Sequence, residues 1–129
     1  MSSAETFEAV LALRPELADG HARLTALVGD GRVDPALLAL CRRRMGSLLG
    51  CDVHGGPTPP WSELSATEAA CLDFAERFVL DVHGIDDGLA ARVVDGLGPG
   101  GMVAFTTALA VFDGACRFER TIVQRAKEV

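Results

Sequence analysis

The chain has 129 residues, 49% of them apolar, and a formal net charge of −6. That length suits one domain with its own core, the apolar share excludes global disorder, and the acidic balance speaks against nucleic acid or an anionic membrane as main partner. No apolar run is expected to approach the roughly 18 residues of a membrane span, and Met1–Glu5 lacks the basic start and apolar run of a signal peptide, so a cytoplasmic protein with reduced cysteines is expected.

The elements are predicted in chain order as follows. Thr6–Ala18 carries Phe7, Val10, Leu11, Leu13 and Leu17 at helical spacing, but Pro15 breaks it. Pro15 opens a second helix, Pro15–Val28, with Leu17, Leu24, Leu27 and Val28 on its expected buried side. Gly29-Asp30-Gly31 is a turn. Asp34 is placed to cap the next helix, with Pro35 at its first position. Leu37, Leu38, Cys41, Met45, Leu48 and Leu49 then recur at helical spacing until Gly55–Pro60 ends the helix. Ser65-Ala66-Thr67-Glu68 has the form of a capping box and opens a helix reaching about Val82. A short acidic helix, Asp86–Leu97, stops at Gly98-Pro99-Gly100-Gly101. The last helix, Met102–Arg125, is apolar nearly all round from Val103 to Phe112, which predicts burial in the core or at a subunit contact. No strand is predicted. The expected fold class is all-α: one helical bundle of about six helices over residues 1–129.

Gly50-Cys51-Asp52-Val53-His54 carries the chemistry. If the helix continues through it, Cys51 and His54 are neighbours on one face. An imidazole there can take up the thiol proton, and the thiolate is the reactive form of cysteine. The end of a helix, however, opposes a thiolate and favours a cationic imidazole. The plainer alternatives are a buried apolar Cys51 and a His54 that meets free helix carbonyls. If Cys51 is oxidised, Cys41 lies about 15 Å away along a helix axis. Cys71, Cys116 or an external thiol would then have to resolve it.

Arg42-Arg43-Arg44 point about 100° apart and cannot form one patch. Arg44 is expected on the Cys51 side, either holding a substrate carboxylate or in a salt bridge. His21 and His83 read as surface histidines, and Trp61 as a residue that packs the Pro-rich loop or covers a pocket. The histidines, Asp52 and Cys51 are too scattered for a metal site, and no metal or cofactor is expected. Gly98–Gly101 has no strand before it and is a connector, not a phosphate loop.

Three segments taken together resemble a known family. They are Val33–Leu38 through Arg42, Arg44 and Gly50-Cys51; Leu64–Arg77; and Phe112–Phe118. In order and spacing they are similar to the carboxymuconolactone decarboxylase family, which includes the alkylhydroperoxidase D-like proteins. The likeness spans roughly Leu11 to Val123. It implies an all-helical fold, a homo-oligomer, and a small organic molecule or hydroperoxide as substrate. Peroxidase members carry C-x-x-C-x-x-x-H with a glutamate upstream. Here Cys51 matches the first cysteine, His54 replaces the second, Thr58 stands at the later histidine, and the glutamate position falls near Ala39. The helix that follows the motif in the family looks deleted. Only one of the four peroxidase residues is carried over, so the resemblance does not imply intact peroxidase chemistry; the residues themselves point to an atypical member using Cys51 and His54, with Arg44. Its chemistry is either thiol-based, or of the acid–base decarboxylase or lyase type with Cys51 as spectator. Arg117 resembles the family's terminal arginine and reads as structural. The alternative is a non-catalytic member acting as an oligomeric binding or assembly protein.

Overall fold

The computed structural model describes residues 3–123, with side chains from residue 7 onward. Every regular element among them is helical. α1 (Ser3–Leu11) ends before Pro15, and α2 (Pro15–Val28) begins on it, because the missing N–H of proline costs no bond in a first helical turn. α3 (Pro35–Leu48) opens on Asp34, whose carboxylate accepts from the Ala36 N–H at 2.9 Å. α4 (Ala66–Leu80) opens on the predicted capping box. The Glu68 N–H donates to Ser65 Oγ at 3.1 Å and the Ser65 N–H donates to the Glu68 carboxylate at 2.9 Å. Short 3-10 turns at Trp61–Glu63 and Val82–Gly84 flank α4.

The two expected helices after residue 86 are joined. α5 (Asp87–Phe118) bends at Gly98 (φ 76°, ψ 165°) and continues from Pro99, so five α-helices rather than six make up the described residues. One residue suffices for the break because Pro99 is well placed to start the next helical stretch. A π-helical turn, Glu119–Val123, follows, and the expected end at Arg125 lies outside the described residues. By length and composition Asp87–Val123 is long and apolar enough to cross a membrane, which departs from the expectation that no such run exists. In this fold it supplies Leu89, Val93, Phe105, Ala108 and Leu109 to the core.

α3, α4 and α5 pack on one another. Leu37, Leu38, Leu40, Cys41 and Met45 of α3 meet Ala70, Cys71, Leu72, Phe74 and Ala75 of α4 and the α5 residues just named. The rings of Phe74 and Phe105 lie 5.9 Å apart, tilted. α2 departs from expectation: it has no buried residue, and Leu17, Leu24 and Leu27 are all exposed. It leans on α5 and α1 instead of entering the three-helix core.

Leu109 is fully buried, so Leu109→Ala is expected to cost about 2–5 kcal/mol, against about 1 kcal/mol for Ser65→Ala. Urea unfolding of the two variants checks the order; a larger loss for Ser65→Ala would contradict this core.

Candidate active site

The site is built by the way α3 ends. Gly50 adopts φ 68°, its N–H donates to the Ser47 carbonyl at 3.2 Å, and the Cys51 N–H donates to the Gly46 carbonyl at 2.8 Å. This is a Schellman C-cap with glycine at the left-handed position. Cys51 is therefore the first residue clear of the cap and not a further residue of the helix. The chain then turns sharply, with the N–H groups of His54 (3.3 Å) and Gly55 (2.8 Å) both donating to the Cys51 carbonyl. A turn, not a continued helix, brings the thiol and the imidazole together.

The turn folds back along α3. A Cβ on Gly46 would lie 2.4 Å from the Gly55 nitrogen, so only glycine permits this approach. The Gly56 N–H donates to Ser47 Oγ at 3.2 Å, and Arg43 Nε donates to the Pro57 carbonyl at 3.1 Å. The three arginines diverge as their spacing requires. Arg42 Nε and Nη2 reach His54 Nδ1 at 3.2 and 2.6 Å. Arg44, expected on the Cys51 side to hold a substrate carboxylate or to form a salt bridge, forms the salt bridge, between helices, with Glu76 of α4 at 2.5 Å. The expectation carried the helix straight through Cys51; the fold-back covers the Arg42, Arg43, Gly46 and Ser47 side of α3 and leaves Arg44 facing α4. Arg117 pairs with Asp113 one turn earlier, within α5.

α5 contributes the third member of the site. The sulfurs of Cys51 and Cys116 and a ring nitrogen of His54 all lie within 4.8 Å of one another. Cys51 is 2% exposed and Cys116 0%. Burial first, then the Cys51 sulfur and the Asp113 carboxylate, push the Cys116 thiol up to about 12, against the pull of the Arg42 guanidinium. Cys116 thus keeps its proton. Cys41 and Cys71 form a separate neighbouring pair inside the hydrophobic core, with burial pushing them up to about 12 and about 11.

His54 is fixed in one form. Both Arg42 contacts end on Nδ1, and a guanidinium only donates, so Nδ1 offers its lone pair and Nε2 carries the proton. Nε2 is buried and without a hydrogen-bond partner among the described residues. Burial, and then Arg42, lower the His54 pKa. The imidazole is a neutral donor here, not the proton acceptor that the bare Cys-x-x-His spacing implies. The same tautomer suits a metal poorly: a cation on Nε2 would have to expel its proton beside a fixed guanidinium.

Two cavities of about 260 Å³ each meet the cluster. One, lined by Phe7, His21, Val53 and Phe112, has Arg42 and His54 on its wall. The other brings Cys51 into contact with a recess among Gly46, Ser47, Gly55 and Gly56. His21, read from the sequence as a surface residue, packs 5.5 Å from the Phe7 ring at the first cavity. His83 and Asp52 are exposed. Trp61 is exposed in its 3-10 turn and lines neither cavity. No protein-family model, no curated protein and no solved structure matches this chain.

Above its ordinary value of 6.5 His54 is neutral in both folded and unfolded chains. As pH falls below that value the unfolded chain gains a proton that the folded one refuses, so stability is expected to fall on acidification. Melting temperatures between about pH 7 and 5 should show a loss that His54→Gln reduces; an unchanged slope in the variant would count against a neutral buried His54. Gly46→Ala should destabilise by about 1–3 kcal/mol despite its helix-propensity gain. Gly114→Ala, whose Cβ would meet nothing within 4 Å, should not. Equal effects in denaturant titrations would remove the close approach as the cause.

Proposed function

We propose that this chain is an atypical member of the carboxymuconolactone decarboxylase family that reduces a hydroperoxide, with Cys51 as nucleophile. One observation carries the reading: the Cys51 sulfur lies within 4.8 Å of both a second thiol and an imidazole, and Cys51 borders a cavity. The Cys51 thiolate attacks the terminal oxygen of the hydroperoxide and the O–O bond breaks. The sulfur becomes a sulfenic acid, and the alkoxide leaves with the proton that the thiol gave up. His54 Nε2–H is available to hydrogen-bond the departing oxygen, and Arg42 holds the ring in that tautomer. Two equivalents of a low-molecular-weight thiol return the enzyme, releasing water and a disulfide.

The acid–base alternative is less well supported, because the lone pair that His54 would need as a base is engaged by Arg42. The expected homo-oligomer is supported by the exposed apolar residues Leu17, Leu24 and Leu27 of α2 and Val103 of α5. A cytoplasmic setting fits a site that needs thiol reductant.

Peroxide consumption in the presence of dithiothreitol tests the proposal. Cys51→Ser should lower the rate at least about a thousandfold and His54→Ala about a hundredfold. Activity that survives Cys51→Ser but not His54→Ala would transfer the assignment to acid–base chemistry. No turnover by the native chain with any hydroperoxide would leave the binding-protein alternative.

A further inference from the structure

The four cysteines divide into two pairs, and only one pair is positioned for chemistry. Cys41 and Cys71 belong to the hydrophobic core, between α3 and α4. Cys51 and Cys116 are also buried but stand outside that core cluster, at the junction of the α3 cap and the last turn of α5. Cys51 adjoins a cavity, and Cys116 reaches the same sulfur cluster from the opposite element.

We propose that Cys116 is the redox partner of Cys51, and that the two close an intramolecular disulfide joining the fold-back turn to α5. A disulfide requires the sulfurs to approach from within 4.8 Å to about 2.05 Å. Cys51 lies past the last residue of α3, so on its side the approach falls on the turn and not on the helix. By contrast, Cys71 and Cys41 are both buried within the hydrophobic core, outside the Cys51–His54–Cys116 cluster. The inference rests on the thiol reading of Cys51 and completes its cycle. The Cys116 sulfur attacks the sulfur of the Cys51 sulfenic acid, the S–O bond breaks, and the thiol proton leaves with hydroxide as water. A two-electron thiol reductant then reopens the disulfide, passing through a mixed disulfide and restoring both thiols. The buried position of Cys116 suits this role, since its reaction is with a neighbouring sulfur and needs no access from solvent.

The experiment treats the reduced native chain with one equivalent of hydrogen peroxide or cumene hydroperoxide, then counts thiols after unfolding and maps peptides without reduction. The expected result is loss of two of the four thiols and a Cys51–Cys116 crosslink. In Cys116→Ser the same treatment should instead leave a Cys51 sulfenic acid that dimedone traps, with one thiol lost. A trappable sulfenic acid persisting in the native chain to the same extent as in the variant would overturn the inference, as would a crosslink to Cys41 or Cys71. The native-chain map decides even if Cys116→Ser fails to fold, and Cys116→Ala serves as a second variant. Should neither peroxide oxidise Cys51, the peroxidase proposal falls, and diamide, a direct thiol oxidant, decides the pairing separately. A Cys51–Cys116 crosslink with diamide sustains the partnership; its absence overturns it.

Discussion

A Cβ atom on Gly46 would stand 2.4 Å from the backbone nitrogen of Gly55, and the whole site depends on that atom's absence. With it gone, the chain leaving α3 can lie directly against the helix it has just left. Gly50 supplies the left-handed turn that starts the reversal, and Ser47 and Arg43 fasten the returning strand of backbone by side-chain hydrogen bonds. The fold-back delivers three things at once. Cys51 is freed from the helix, His54 is carried over Arg42, and a recess is left beside Cys51. Because these follow from one backbone approach, they stand or fall together.

The charges around the sulfurs act through position more than through number. Arg42 is exposed, yet its guanidinium sets the state of a half-buried ring by donating twice to one nitrogen. A second positive charge on His54 would lie beside Arg42 in a partly desolvated space, so the ring stays neutral and turns its N–H inward. The fixed positive charge beside the ring is thus provided by arginine, which cannot give up its proton. The pull of Arg42 on Cys116 opposes the push of burial and of Asp113.

The same residue type serves two ends in this molecule. Cys41 and Cys71 are small apolar side chains that fill space between α3 and α4, and burial holds their protons firmly. Cys51 and Cys116 are equally hidden from solvent but meet at a seam where the backbone turns and a cavity adjoins Cys51. Burial alone does not distinguish the two pairs. What distinguishes them is that polar groups converge on the second.

Local features of the fold were legible in the sequence because they depend on neighbouring residues only. The Asp34 cap, the Ser65–Glu68 box and the proline starts at Pro15 and Pro35 are decided within one helical turn. The divergence of Arg42, Arg43 and Arg44 follows from helix geometry alone. Cys51 and His54 were recognisable as a pair from their spacing. What their spacing implied about proton transfer was not, because the tautomer is set by Arg42 across a fold-back of the chain. Arg42 rather than Arg44 faces the site for the same reason: a periodic pattern extends a helix in a straight line and does not register where the chain reverses. The exposure of α2 and the joining of two helices at Gly98 depend on which faces α5 turns to its neighbours. The closeness of Cys51 and Cys116 joins positions about half the chain apart and has no local signal at all. Sequence by itself determined an all-helical chain, its caps and its candidate nucleophile, since short-range sterics and hydrogen bonding suffice for these. Tertiary structure alone decided which thiol, which guanidinium and which ring nitrogen meet, since those contacts depend on close packing between segments far apart in the chain.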